Sequence, residues 1–135
     1  MYMELAVPLE RFIWENKNRF RDSMIGTWEL MDEEPYIEPR ETPYYDYLVY
    51  IKKTRGARAS PVSRTLYKMA LYNKIKTEGF CPYKQTRMTC TFNKDRFYIR
   101  NGHHRLSMIQ HWKKPDPLII LLWIPEGSGK TDVYM

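Results

Sequence analysis

An α+β fold, one compact layered domain with a mixed sheet and covering helices, is what this sequence of 135 residues predicts. Stretches with apolar residues at helical spacing alternate with short stretches rich in β-branched and aromatic residues. The last of these, "LIILLWI" (118–124), is apolar without interruption, as in a strand covered on both faces. A chain of this length removes roughly two-thirds of its unfolded surface from water, so a core forms without disulfide or metal staples. Elements alternating in this way pack as layers around that core.

In chain order, "ELAVPL" (4–9) reads as the first strand, and the charged, aromatic residues after it as a helix or irregular wrap. "YYDYLVYI" (44–51) has the composition of a strand. Ser60 and Pro61 are an N-cap and first helical position. Val62, Leu66, Met69 and Tyr72 or Ile75 then recur at helical spacing up to Gly79, a C-terminal stop. "GFCPY" turns the chain, and "TRMTCTF" (86–92) alternates Met88, Cys90 and Phe92 on one face. "NKD" supplies a turn into "RFYIR" (96–100). A helix follows from Gly102 to Lys113, with Leu106, Ile109 and Trp112 on one stripe, stopped by Pro115.

Composition narrows the function classes. The longest apolar run, "PLIILLWI" (117–124), has eight residues where a membrane span needs about twenty. The start, "MYMELAVPLERF", lacks the basic head and apolar segment of a secretory signal. A soluble, cytoplasmic protein with no membrane partner is expected. Cys81 and Cys90 form no CxxC pair and are expected to be reduced and structural. The net charge of +6 points to an anionic partner. Residues 29–46 hold seven acids against one Arg, whereas 52–64, "KKTRGARASPVSR", hold five bases and no acid. That basic loop, with Lys52, Lys53, Arg55, Arg58 and Arg64, is either a solvated loop or a contact to nucleic-acid phosphates, which requires clustered cations and no fixed geometry.

The tail "PEGSGKTD" (125–132) contains GSGKT but is not a phosphate-binding P-loop. Ile124 stands where the pattern requires its first glycine, and the sequence nearly ends where the pattern wants a helix after the lysine. Residues 125–135 are expected to be a flexible, solvated tail.

"RFYIRNGHHRL" (96–106) concentrates the chemistry. The histidines of the chain are His103, His104 and His111. His104 and His111 stand seven residues apart, about 10 Å along a helix, too far to share one ion, and no metal is expected there. A strand running through Asn101 and Gly102 into a helix instead presents a helix N-terminus, which attracts anions. Its dipole contributes only about 0.3–1 kcal/mol. Micromolar binding requires about 8 kcal/mol, so Arg105 and one or both histidines must add charge-assisted bonds of roughly 1.5–3 kcal/mol each. The bland alternative is a polar helix start capped by Asn101, with Arg105 paired to a surface carboxylate.

The order "LYNKIKTEGFCPY", a hairpin strand, "NGHHRL", an amphipathic helix and "PLIILLW" resembles the ParB/sulfiredoxin superfamily. "ELAVPLERF" is similar to its first strand. The resemblance covers about residues 4–15 and 65–124, and leaves 16–64 as an insertion within a single domain spanning 1–135. It implies a ParB/sulfiredoxin-like mixed sheet with nucleotide phosphates at the GHHR helix start. Sulfiredoxins place a reactive cysteine where His103 stands, so sulfinic acid reduction is not expected. ParB-type partition proteins usually carry an acid at His103 and Arg at His104, with a DNA-reading domain after the nucleotide domain; with histidines at both positions and the sequence ending at Met135, a centromere-reading partition protein is not expected. The GHHR form is most similar to the free-serine kinase branch and to phage or plasmid ParB-like proteins. From those kinases the resemblance implies a base at Glu15, or at Glu10. The family often has Ser or Thr where Lys74 stands, and a lysine there neutralises phosphate charge as a point charge.

Three functions stay open. One is an NTP hydrolase or phosphotransferase using ATP or CTP with Mg2+, its phosphates held by Asn101, Gly102, His103, His104, Arg105 and Lys74. Glu15, His103 and His104 are then the candidate catalytic groups. Another is a ParB-like nuclease or DNA-modifying protein. The last is a nucleotide-gated adaptor contacting DNA or protein through Lys52, Lys53, Arg55 and Arg58.

Overall fold

A computed structural model describes residues 2–55, 60–79, 88–123 and 128–131 of the chain. Helices and a six-stranded mixed sheet make an α+β fold. The residues cluster into two compact units, one formed by 1–16 with 79–135 and the other by 17–78.

The first unit holds the whole sheet, with strands β1 (Tyr2–Val7), β2 (Phe12–Ile13), β3 (Met88–Asn93), β4 (Arg96–Asn101), β5 (Leu118–Trp123) and β6 (Ser128–Thr131). Their order is β1-β5-β6-β3-β4-β2. Every pairing is antiparallel except β2 with β4, which run parallel with Phe12 opposite Phe97 and Ile13 opposite Tyr98. The β3–β4 hairpin turns through Lys94 and Asp95 at φ 52° and 62°, so both central residues adopt the left-handed conformation that matches strand twist. The expected turn at "NKD" is thus present. Met88 and Cys90 are buried as the alternation predicts, while Phe92 is half-buried with its ring 5.0 Å from that of Phe97. On β5, Leu118, Ile120 and Leu122 are buried and Ile119 is half-buried, with the side chains of Leu121 and Trp123 outside the described ones. The α-helix of this unit among the described residues, α4 (His103–Trp112), buries Leu106, Ser107, Met108 and Ile109. Trp112 of the expected stripe is half-buried.

The expected tail contains a strand. Ser128–Thr131 lies between β5 and β3 and pairs with both, Leu122 opposite Gly129 and Cys90 opposite Gly129. The physical reason is non-local: the strand is fixed by backbone pairing on both sides, which its own four residues, with a single β-branched side chain at Thr131, do not announce. Residues 124–127 and 132–135 lie outside the described residues.

The second unit consists of α1 (Asn18–Glu33), α2 (Pro43–Arg55) and α3 (Pro61–Glu78). It thus includes the helix that the resemblance had grouped with the sheet, in addition to the segment read as an insertion. On α1, Ser23, Met24, Thr27, Trp28 and Met31 are buried, a stripe at helical spacing. The strand expected at 44–51 is instead part of α2. Thr42 and Pro43 start a helix just as Ser60 and Pro61 do: Thr42 Oγ accepts from the Tyr45 N–H at 3.2 Å, and Pro43 occupies the first helical position. Tyr44 and Leu48, four residues apart, then bury one face. Thr27 Oγ accepts from the Tyr44 N–H at 3.0 Å and donates to the Ser23 carbonyl at 2.8 Å, tying α2 to α1. On α3 the buried stripe is Thr65, Met69, Tyr72 and Ile75. Met69, Tyr72 and Ile75 are the expected members, whereas Leu66 is half exposed at 51 % because Thr65 takes the buried position four residues before Met69. The Trp28 and Tyr72 rings stack 4.6 Å apart at 3°, and Asp32 accepts from both Tyr72 Oη and Lys76 Nζ at 2.7 Å.

Candidate phosphate-binding site at the start of the fourth helix

The parallel pairing of β2 and β4 sends both strands toward the same end of the sheet. Past Ile13 the chain continues as Trp14 and Glu15; past Tyr98 it continues through Arg100, Asn101 and Gly102 into α4. One register step after another therefore brings Glu15 beside Arg100, and Glu15 Oε2 lies 3.4 Å from Arg100 Nη1. Arg100 Nε also donates to Thr91 Oγ1 at 2.9 Å. Both members of the ion pair are about half exposed, a setting in which such a pair contributes about 0–1 kcal/mol and exchanges partners readily.

Trp14 anchors this end. It is buried, its Nε1 donates to Gln110 Oε1 on α4 at 3.0 Å, and its ring centroid stands 5.1 Å from the His103 ring. Through Trp14 the segment carrying Glu15 is fixed against the first and third turns of the helix. Glu15 and Asn16 follow with φ of 45° and 65°, a left-handed pair without glycine. The pair turns the chain after Trp14 as Lys94 and Asp95 turn it between β3 and β4.

Gly102 is the residue preceding α4, at φ 92° and ψ 26°. A Cβ at this position would stand 2.8 Å from Met88 Cβ and 3.1 Å from Met88 Cα. Glycine is thus required by the fold as well as by any close approach of a ligand to the backbone. Asn101 does not cap the helix turn: its Oδ1 accepts from the Gly102 N–H at 2.9 Å, and the cap position itself supplies no side chain.

His103, His104 and Arg105 occupy the first turn and all three are half-buried. Ser107 Oγ donates to the His104 carbonyl. Arg105 makes no hydrogen bond or ion pair with any of the described residues, so the carboxylate partner of the bland reading is absent among them. Burial lowers its pKa below the ordinary arginine value, a sign that the cation has given up water without an anion in return.

The remaining candidates stand elsewhere. Glu10 is exposed within the short helical turn Leu9–Arg11 that precedes β2. Lys74 is exposed on α3, in the helical unit. Lys52 and Lys53 are exposed in the last turns of α2 and Arg64 in the first turns of α3, so both ends of the basic segment read as a loop are helical; Arg58 lies outside the described residues. Cys90 is a buried thiol and Cys81 lies outside the described residues. Sequence reasoning missed Trp14, Arg100 and Gln110, which position Glu15 and His103. Their role follows from the β2–β4 pairing, for which a two-residue strand leaves no periodic signal.

Among the described residues no three His, Cys, Asp or Glu side chains converge as a metal site, and no helix is long and apolar enough to cross a membrane. Comparison with protein-family models, with curated proteins and with solved structures gives no match to this chain.

Proposed function

We propose that the start of α4 binds the phosphates of a nucleoside triphosphate, with Glu15 serving the transfer or hydrolysis of the terminal phosphoryl group. The observation that carries this reading is Arg105: a half-buried guanidinium in the first helical turn with no anion among the described residues. A cation held out of water without a partner is unfavourable, and a phosphate offers its planar fork two oxygens at once. The glycine-capped helix N-terminus and the His104 side chain in the same turn add to the attraction. The sulfiredoxin-like resemblance supports the same assignment, with a nucleotide at GHHR and a carboxylate after the first strand.

Phosphoryl transfer requires positioning and charge neutralisation more than covalent chemistry by the protein. In the proposed reaction an acceptor hydroxyl or water gives its proton to Glu15. Its oxygen forms a bond to the terminal phosphorus as the bond to the bridging oxygen breaks, and the nucleoside diphosphate leaves with the electron pair. Arg105 holds the charge that develops on the phosphoryl oxygens. Arg100 orients Glu15 before the reaction, and its weak ion pair is exchanged when the phosphate arrives. Magnesium, a hard cation that takes carboxylate and phosphate oxygens, would neutralise phosphate charge there if bound, and Glu15 is the carboxylate that would help to hold it.

Turnover tests the assignment of Glu15. With ATP or CTP and magnesium, Glu15→Ala is expected to retain nucleotide binding and lose phosphate release by about a hundredfold or more, the usual scale for a positioned base. Equal turnover in this variant would remove Glu15 from the chemistry.

A further inference from the structure

We propose that the helical unit carries a second anion-binding surface, on α2 and α3, that takes single-stranded nucleic acid. Residues 47–77 contain eight Lys and Arg and no Asp or Glu. Lys76 is spent on Asp32, but exposed Lys52, Lys53, Arg64 and Lys74 have no carboxylate within ion-pair distance among the described residues. Arg64 and Lys74 are ten residues apart on α3, with Tyr67 between them on the exposed side. The last residue of α2 and the first of α3 are separated by five residues, which span at most about 20 Å. The end of α2, with Lys52 and Lys53, and the start of α3, with Arg64, are therefore close together, while Lys74 stands about 15 Å farther along α3.

Aromatic rings accompany the cations. Tyr67 is 67 % exposed with Lys68 Nζ 5.2 Å from its ring centroid, and Tyr50 is 42 % exposed with the Arg19 guanidinium 3.8 Å over its ring. Tyr67 offers the more open ring on which an unpaired base could stack, since the Arg19 guanidinium already covers one face of Tyr50. Cations that track a backbone together with aromatic platforms are the chemistry of single-strand binding, tolerant of sequence because every base has a π-face. A duplex, whose bases are already stacked, would use the cations and leave the rings idle.

Fluorescence anisotropy of a labelled oligothymidylate of about twenty nucleotides, titrated at several salt concentrations, tests this. Wild type is expected to bind saturably, with affinity falling as salt rises. Lys52→Gln/Lys53→Gln is expected to flatten the salt dependence by about 0.7 in logarithmic slope for each phosphate contact removed. Tyr67→Ala is expected to lower single-strand affinity about tenfold while leaving the weaker binding to a duplex of the same length unchanged. Arg105→Ala must bind the oligonucleotide as wild type does, which separates this surface from the start of α4. Both altered surfaces are exposed, and unchanged circular dichroism verifies that the variants are folded. Absence of binding at low salt, binding indifferent to the lysine and tyrosine substitutions, or equal affinity for duplex would each overturn the proposal.

Discussion

Single residues settle questions that patterns leave open. Gly102 reads equally well as a helix punctuation mark and as a phosphate-approach glycine; its positive φ and the closeness of Met88 make it a packing requirement first. Gly102→Ala is therefore expected to cost about 1–3 kcal/mol of stability in chemical denaturation, even without nucleotide. Arg105→Ala is expected to do the opposite of what removal of an arginine from an ion pair does. No partner among the described residues is left orphaned, so its melting temperature should match or exceed that of wild type while nucleotide binding is lost. Tyr44 makes a third case. Burial raises its phenol to about 12 despite the opposing effect of Arg64, and it is 1 % exposed. The folded state then keeps a proton that the unfolded state releases near 10, so stability holds below pH 10 and falls as pH climbs toward 12. Urea midpoints measured across that range should decline in wild type and decline less in Tyr44→Phe.

Elements show where local patterns were legible and where they were not. The β3–β4 hairpin, α4 and α3 are readable from alternation, Gly102 and the Ser60–Pro61 start. α2 was misread because tyrosines and β-branched residues suit a strand; the start at Thr42–Pro43, of the same kind as Ser60–Pro61, outweighs that propensity once Tyr44 and Leu48 have a core to face. Thr42→Ala is expected to destabilise the helical unit by about 1 kcal/mol in thermal or urea unfolding, since the hydroxyl also donates to the Pro39 carbonyl at 2.7 Å. β6 was misread because "SGKT" has neither apolar residues nor β-propensity. Its place is set by neighbours on both sides, which no short window contains. Deletion of residues 125–135 therefore removes an interior strand, and the truncated chain is expected to lose the cooperative unfolding transition of the sheet; a solvated tail would have been dispensable.

For the whole molecule, the sheet unit is assembled from two distant segments, 1–16 and 79–135, and the candidate site forms where they meet. Glu15 comes from the first, Arg100 and the α4 start from the second. The sequence allowed GHHR to be selected and Glu15 to be suggested by resemblance. It did not contain the parallel pairing of β2 with β4 that brings them to one end, because that pairing joins Phe12 and Ile13 to residues some eighty-five positions away. The central claim is that Arg105 is held for a phosphate. Its most direct test is a calorimetric and thermal-shift panel of ATP, ADP, CTP and GTP, each with and without magnesium, on wild type and Arg105→Ala. Saturable stabilisation of wild type by at least one triphosphate, lost in the variant, is the predicted result; no response of wild type to any nucleotide, or a response that Arg105→Ala retains in full, would contradict the account.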